Sequence, residues 1–272
     1  MVAFSLLAAL ASVLSLSVAA PAAELVARDS SACVTGDAVH IIVARASTEL
    51  PGEGIIGQVV TMIKSQLPGS TSEAVSYPAT LYPYLSSEAA GVSAMTSLVQ
   101  SYVARCGEGS RLILAGYSQG AQVVGDTLCG SSGLFGGFSV PSGFGSSTSS
   151  PWSFSGLSKR DLDSFNTSTD DALAKRQLSS SISGNIVAAI QMGDPSFVPG
   201  QSFDAGTSRM RGLFPRSSSG VQCLQGFADR LRSYCDTGDE FCASGFSLAV
   251  HLSYVQRYGA EAAAFAVSRA RA

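Results

Sequence analysis

The segment Gly116-Tyr117-Ser118-Gln119-Gly120 follows directly on an aliphatic run at 111–115 and leads directly into a helical pattern at 120–128. A strand that turns into a helix around one residue leaves the chain few options. The turn holds its serine in a strained conformation, and the flanking positions must be glycine because a Cβ there would clash. It lifts the hydroxyl above the edge of a sheet and aims the unpaired N–H groups of the helix start at any negative charge that develops there. The G-x-S-x-G string alone is common. With a strand before it and a helix after it, it predicts a nucleophilic serine, Ser118.

Other segments fit the same architecture. Ala38 to Ala44, Ala-Val-His-Ile-Ile-Val-Ala, reads as a buried strand, and Ile186 to Met192 as another. Helical patterns run over 55–67, 87–103 and 252–269; in the second, Val92, Met95, Val99, Tyr102 and Val103 share one face. Strands that alternate with helices predict an α/β fold with a largely parallel sheet covered on both faces. The chain has 272 residues and is 46% apolar, enough for one sizeable core. Its net charge of −3 argues against a nucleic-acid partner.

Residues 1–20 read as a signal peptide: Phe4 to Ala20 is uncharged and apolar or small, and ends before Pro21, short of the ~20 residues a membrane span needs. Residues 21–32 fit a propeptide, and 33–272 a catalytic domain. Within it, about 131–182 is a low-complexity surface insertion rich in Gly, Ser, Phe and Pro. The insertion holds a glycosylation sequon at Asn166 and dibasic pairs, Lys159-Arg160 and Lys175-Arg176, which are either processing sites or ordinary solvated charges. Six cysteines in an exported chain imply disulfides. No metal-ligand spacing is present, so neither metal nor cofactor is expected.

A serine hydroxyl needs a base, and only two histidines exist. His40 lies inside the first strand and reads as a core residue. His251 alone follows the serine, as the order of this class of site requires. The acid that orients it lies among Asp126, Asp194, Asp229, Asp236 and Asp239. Asp126 is expected to face solvent; Asp194, at a strand end, competes on position. Asp236 and Asp239 share the loop between Cys235 and Cys242, where a disulfide closing eight residues would remove about 2.5 kcal/mol of chain entropy and hold the acid still. Spacing does not separate these two. Oxyanion donors are expected from the Gln119 amide and from Ser47, in the loop after the first strand.

Four blocks together resemble the fungal cutinase and acetylxylan esterase family: Arg45-Ala46-Ser47-Thr48-Glu49; Cys106 upstream of Gly116-Tyr117-Ser118-Gln119-Gly120-Ala121; Cys235-Asp236-Thr237-Gly238-Asp239-Glu240-Phe241-Cys242; and His251-Leu252-Ser253-Tyr254. The resemblance implies a compact three-layer α/β-hydrolase with a mostly parallel five-stranded sheet and a Ser118–His251–Asp239 triad. It implies an oxyanion hole of Ser47 and Gln119, and disulfides Cys33–Cys106 and Cys235–Cys242, which leaves Cys129–Cys223 as the third. The implied activity is a secreted, monomeric serine esterase acting on a plant polyester or an acetylated polysaccharide. The apolar residues Phe246, Leu248, Val250 and Leu252 around the histidine favour acyl chains and the cutinase side. Pro51-Gly52-Glu53-Gly54 and Tyr77-Pro78-Ala79 resemble the acetylxylan side. The rivals are a silent surface-binding protein and an acyltransferase.

Overall fold

The computed structural model describes residues 33–130 and 180–272. The proposed leader and propeptide, most of the insertion, Asn166 and both dibasic pairs lie outside the described residues. In chain order the elements are β1 (His40–Ala44), α1 (Gly57–Gln66), β2 (Thr71–Ala74), α2 (Tyr84–Cys106), β3 (Leu112–Tyr117), α3 (Gln119–Cys129), α4 (Ser180–Ser183), β4 (Ile186–Met192), β5 (Asp204–Ala205), α5 (Ser218–Gln225), β6 (Leu231–Tyr234), α6 (Leu248–His251) and α7 (Tyr254–Ala270).

β1, β3 and β4 are almost wholly buried because both faces of the sheet are covered, which is why they read as unbroken aliphatic runs rather than alternating ones. The alternation is still there, but it sorts side chains between two cores. Ile41 and Val43 pack with Val59, Val60 and Ile63 of α1 and Ala262, Ala263 and Ala266 of α7. Ile42 and Ala44 face the other way, against Val92, Met95 and Val99 of α2 and Val123 and Val124 of α3. The result is three layers, helix on sheet on helix.

The strands are ordered β2-β1-β3-β4-β6-β5, and every pairing is parallel. The expected sheet of five strands gains a sixth, the two-residue edge strand β5. Parallel strands put all their C-terminal ends on one edge. The chain moves outward from β1 to β2 and then returns to the other side of β1 as β3, so the strand order reverses there. The crevice beyond the ends of β1 and β3 is the place where sheets of this kind bind ligands. Ser47 follows β1 and Ser118 follows β3.

Three disulfides brace the domain: Cys33–Cys106, Cys129–Cys223 and Cys235–Cys242. The first ties the entry segment to the end of α2, and the second joins α3 to α5. The third closes the loop after β6. Among the described residues no helix is long and apolar enough to cross a membrane.

Candidate active site

Ser118 caps the join of β3 and α3 with φ 54° and ψ −120°, a left-handed backbone that serine adopts only under constraint. The two glycines explain how the constraint is met. A Cβ on Gly116 would lie 2.1 Å from the Gly120 carbonyl oxygen, and one on Gly120 would lie 2.1 Å from that of Ala44. Only glycine at both positions lets α3 start this close to β1 and β3. The amides of Gln119 and Gly120 head α3, before its first bonds at Ala121 and Gln122, both of which donate to Ser118 O. The Gln119 side chain is held from both ends. It accepts from Ser87 Oγ at 2.9 Å and donates to Thr80 O at 3.1 Å.

The loop after β1 is fixed with similar thoroughness. Glu49 accepts the amides of Ala46 at 2.6 Å and Ile55 at 2.7 Å. Arg45, itself buried, donates Nε to Glu49 O and Nη2 to Tyr77 O, and the Tyr77 phenol returns a bond to Arg45 O. Thr48 N–H reaches Ala79 O at 2.7 Å. Ser47 sits inside this frame, and its Oγ is buried with no hydrogen-bond partner among the described residues. A buried hydroxyl with no partner carries a desolvation cost that nothing among the described residues offsets.

The acid and the imidazole meet on the same edge. Asp239 is fully buried in the Cys235–Cys242 loop, and its Oδ2 lies 2.9 Å from His251 Nδ1. Its Oδ1 accepts the Phe241 and Cys242 amides at 2.7 and 2.8 Å. Burial pushes the carboxyl upward, but bonds from His251, Tyr254 and Cys242 N–H outweigh it and hold Asp239 below its usual range. Ser247 starts the short helix α6 that carries His251 by accepting the Val250 amide. Phe241 lies against the imidazole at 4.5 Å between ring centroids, and Tyr117 stands edge-on at 5.8 Å while bonding His251 O. Gly193 lines the site because a Cβ there would be 2.8 Å from His251 Cε1. Ser118 N–H bonds Met192 O, one residue away, so the serine and the imidazole both abut the end of β4.

The other acids are elsewhere employed. Asp126 does not face solvent, contrary to expectation. It is buried and ion-paired to Arg216, whose guanidinium lies over the backbone of Gly125 and also reaches Asp194 at 3.4 Å. Burial pushes Asp126 up against the pull of Arg216. The guanidinium, which burial would weaken, is held charged by Asp126 and Asp194. Asp194 also accepts both bonds from Ser196. Asp236 binds Thr207, Tyr258 and Arg257. Asp229 is exposed ahead of β6, at the opposite edge of the sheet. His40 is a packed core residue, bonded to Thr71 and Glu73 and stacked on Tyr102.

Eight large apolar side chains stand exposed among the described residues: Leu50, Leu81, Tyr82, Met210, Leu213, Phe246, Leu248 and Leu252. All eight fall between the C-terminal end of a strand and the next of the helices α1, α2, α5 or α7, with Leu248 opening the short α6 on the way. Of the four expected around the histidine, Phe246, Leu248 and Leu252 belong to this rim, and Val250 is half-buried. No local pattern marks the parts played by Tyr254, Glu49 or Arg216, although Glu49 and Tyr254 fall inside the resembling blocks.

A parallel three-layered sheet with a strained serine between strand and helix, and a His–Asp pair on the same edge, defines an α/β-hydrolase. The family model described as Cutinase matches residues 35–270. The chain belongs to the cutinase family and, with it, to the serine carboxylic ester hydrolases. It is 34% identical to acetylxylan esterase 2 of Talaromyces purpureogenus, across 85% of this chain and 86% of that one. It is 31% identical to cutinase 11 of Verticillium dahliae, across 85% and 68% respectively. An acetylxylan esterase solved at 0.90 Å superposes with a TM-score of 0.67 at 33% identity, covering 88% of this chain and all of the other. A Trichoderma reesei cutinase bound to a phosphonate inhibitor shares the fold at 20% identity and a TM-score of 0.52, over 88% of this chain and 77% of the other.

Proposed function

We propose that Ser118, His251 and Asp239 form the catalytic triad of an exported esterase. The observation that carries this reading is the Asp239–His251 hydrogen bond on the edge where the elbow serine stands. Ser118 Oγ attacks the ester carbonyl carbon as its proton passes to His251 Nε2. Asp239 holds the Nδ1–H tautomer and stabilises the imidazolium. The tetrahedral oxyanion takes hydrogen bonds from the Gln119 amide and Ser47. Collapse expels the alcohol, which leaves with the proton from His251. Water then attacks the acyl-serine with His251 again as base, and the acid departs.

The exposed apolar rim supports an acyl chain or an aliphatic polyester as substrate, since a polysaccharide gains little from Leu50, Leu81 and Phe246. The second reading, removal of acetyl groups from xylan, is favoured by the similarity to acetylxylan esterases over nearly the whole chain. Export is supported by the uncharged 4–20 run and by three disulfides, which persist in oxidising compartments. Purified Ser118→Ala is expected to lose hydrolysis of p-nitrophenyl butyrate, and retained activity in the folded variant contradicts the mechanism. A series of p-nitrophenyl esters run beside acetylated xylan separates the substrates: activity maintained beyond butyrate favours the polyester, strict preference for acetate the polysaccharide.

A further inference from the structure

We infer that Tyr254 is a positioning residue of this site: its phenol, locked between the Asp236 amide and the Asp239 carboxylate, holds the acid against His251 and sets the pH range over which the imidazole serves as base. The inference rests on the triad reading above. Tyr254 is fully buried at the start of α7. Its oxygen accepts Asp236 N–H at 2.8 Å, and its own hydrogen goes to Asp239 Oδ2 at 2.7 Å. Cys242 Sγ lies 3.2 Å away but is disulfide-bonded, with no hydrogen to give and little power to accept. The rotor is therefore set by its neighbours. Asp239 Oδ1 is already filled by two amides, so Oδ2 carries the whole contact with the base, and it takes two donors: the imidazole and the phenol.

Two donors on one oxygen share its charge. The phenol draws off part of the attraction that would otherwise hold a proton on the imidazole, while fixing where Oδ2 points. Burial, and then the charge of Asp239, push the Tyr254 phenol far above its usual range, so it stays a donor throughout the working pH. The other ionisable groups nearby are Glu49 on the β1 loop, Tyr117 on β3, Asp236 on the acid loop and Arg257 and Tyr258 on α7. Tyr254→Phe removes none of them. It removes the hydroxyl, which frees the Asp236 amide and leaves Asp239 Oδ2 to the imidazole alone.

The test is the pH dependence of kcat/KM for p-nitrophenyl butyrate in Tyr254→Phe and in protein carrying 3-fluorotyrosine at position 254. Loss of the phenol is expected to move the acid limb to higher pH by about half to one unit and to lower kcat more than it raises KM. Fluorination makes the phenol a stronger donor while replacing a single ring hydrogen, and moves the limb the other way. Should the phenylalanine variant fail to fold, the fluorinated protein decides alone. An acid limb that stays in place when the phenol is altered, with activity still dependent on Ser118, overturns this inference and leaves the triad standing. Activity that survives Ser118→Ala overturns the triad itself.

Discussion

The Cys235–Cys242 loop and the cluster of Asp126, Asp194 and Arg216 both take carboxylates out of water, and they compensate the burial by different means. In the loop, Asp239 is held by four donors, two backbone amides, a phenol and an imidazole, with no permanent cation in contact. In the cluster, a guanidinium that never gives up its proton sits between two carboxylates. The first arrangement leaves a charge that only a newly protonated imidazole can fully match, which is what a base in catalysis needs. The second holds a permanent ion pair with no exchangeable proton in the contact, and its effect is to tie α3 to the segment after β4 and the loop ahead of α5. Burial alone does not single out the acid of the proposed triad; the partner does.

That contrast is open to direct attack. Asp239→Asn should have the largest effect. The two amides on Oδ1 reject an NH2 group, so the asparagine nitrogen must face His251 Nδ1, which forces the wrong tautomer. A fall in kcat of about 10³–10⁴-fold is expected by steady-state assay. The same variant tests the pH linkage. The depressed carboxyl of Asp239 contributes stability that is present above its unfolded value and is lost as pH falls through the lower folded one. Acid unfolding below about pH 4 should therefore flatten in the variant.

Arg216→Met leaves two buried carboxylates unmatched and should cost about 3–5 kcal/mol in denaturant unfolding. Adding Asp126→Asn to it should recover part of that loss. If Arg216→Met instead proved neutral, the cluster would not be the scaffold described. Replacing both Cys235 and Cys242 by serine should cost about 2.5 kcal/mol through the eight-residue loop alone, and should lower kcat further by freeing Asp239. The smallest effect is expected on the rim. Phe246→Ser with Leu252→Ser should raise KM for a long acyl ester by several-fold, about 1 kcal/mol, with thermal stability unchanged.

Much of this arrangement is legible in the sequence, for identifiable reasons. β1, β3 and β4 announce themselves because both their faces are buried, so they carry continuous aliphatic runs. β2, β5 and β6 do not. Thr71–Ala74 and Leu231–Tyr234 are short and largely polar edge-side segments, and Asp204–Ala205 has only two residues. The elbow was legible because its two glycines are forced by contacts under 2.2 Å with crossing backbone. Asp126 misleads because its partner, Arg216, lies 90 residues away and no local pattern points to it. The rim was visible at three of its eight residues: Phe246, Leu248 and Leu252 flank the histidine in sequence, but Leu50, Leu81, Tyr82, Met210 and Leu213 share its edge only when parallel strands gather their C-terminal loops there.

The triad is tested most directly by a fluorophosphonate probe with peptide mapping, because only an activated serine takes the phosphonyl group. A triad of these residues gives a single adduct on Ser118, and none in a folded His251→Ala variant. Labelling at another serine, or undiminished labelling of Ser118 without His251, would contradict it.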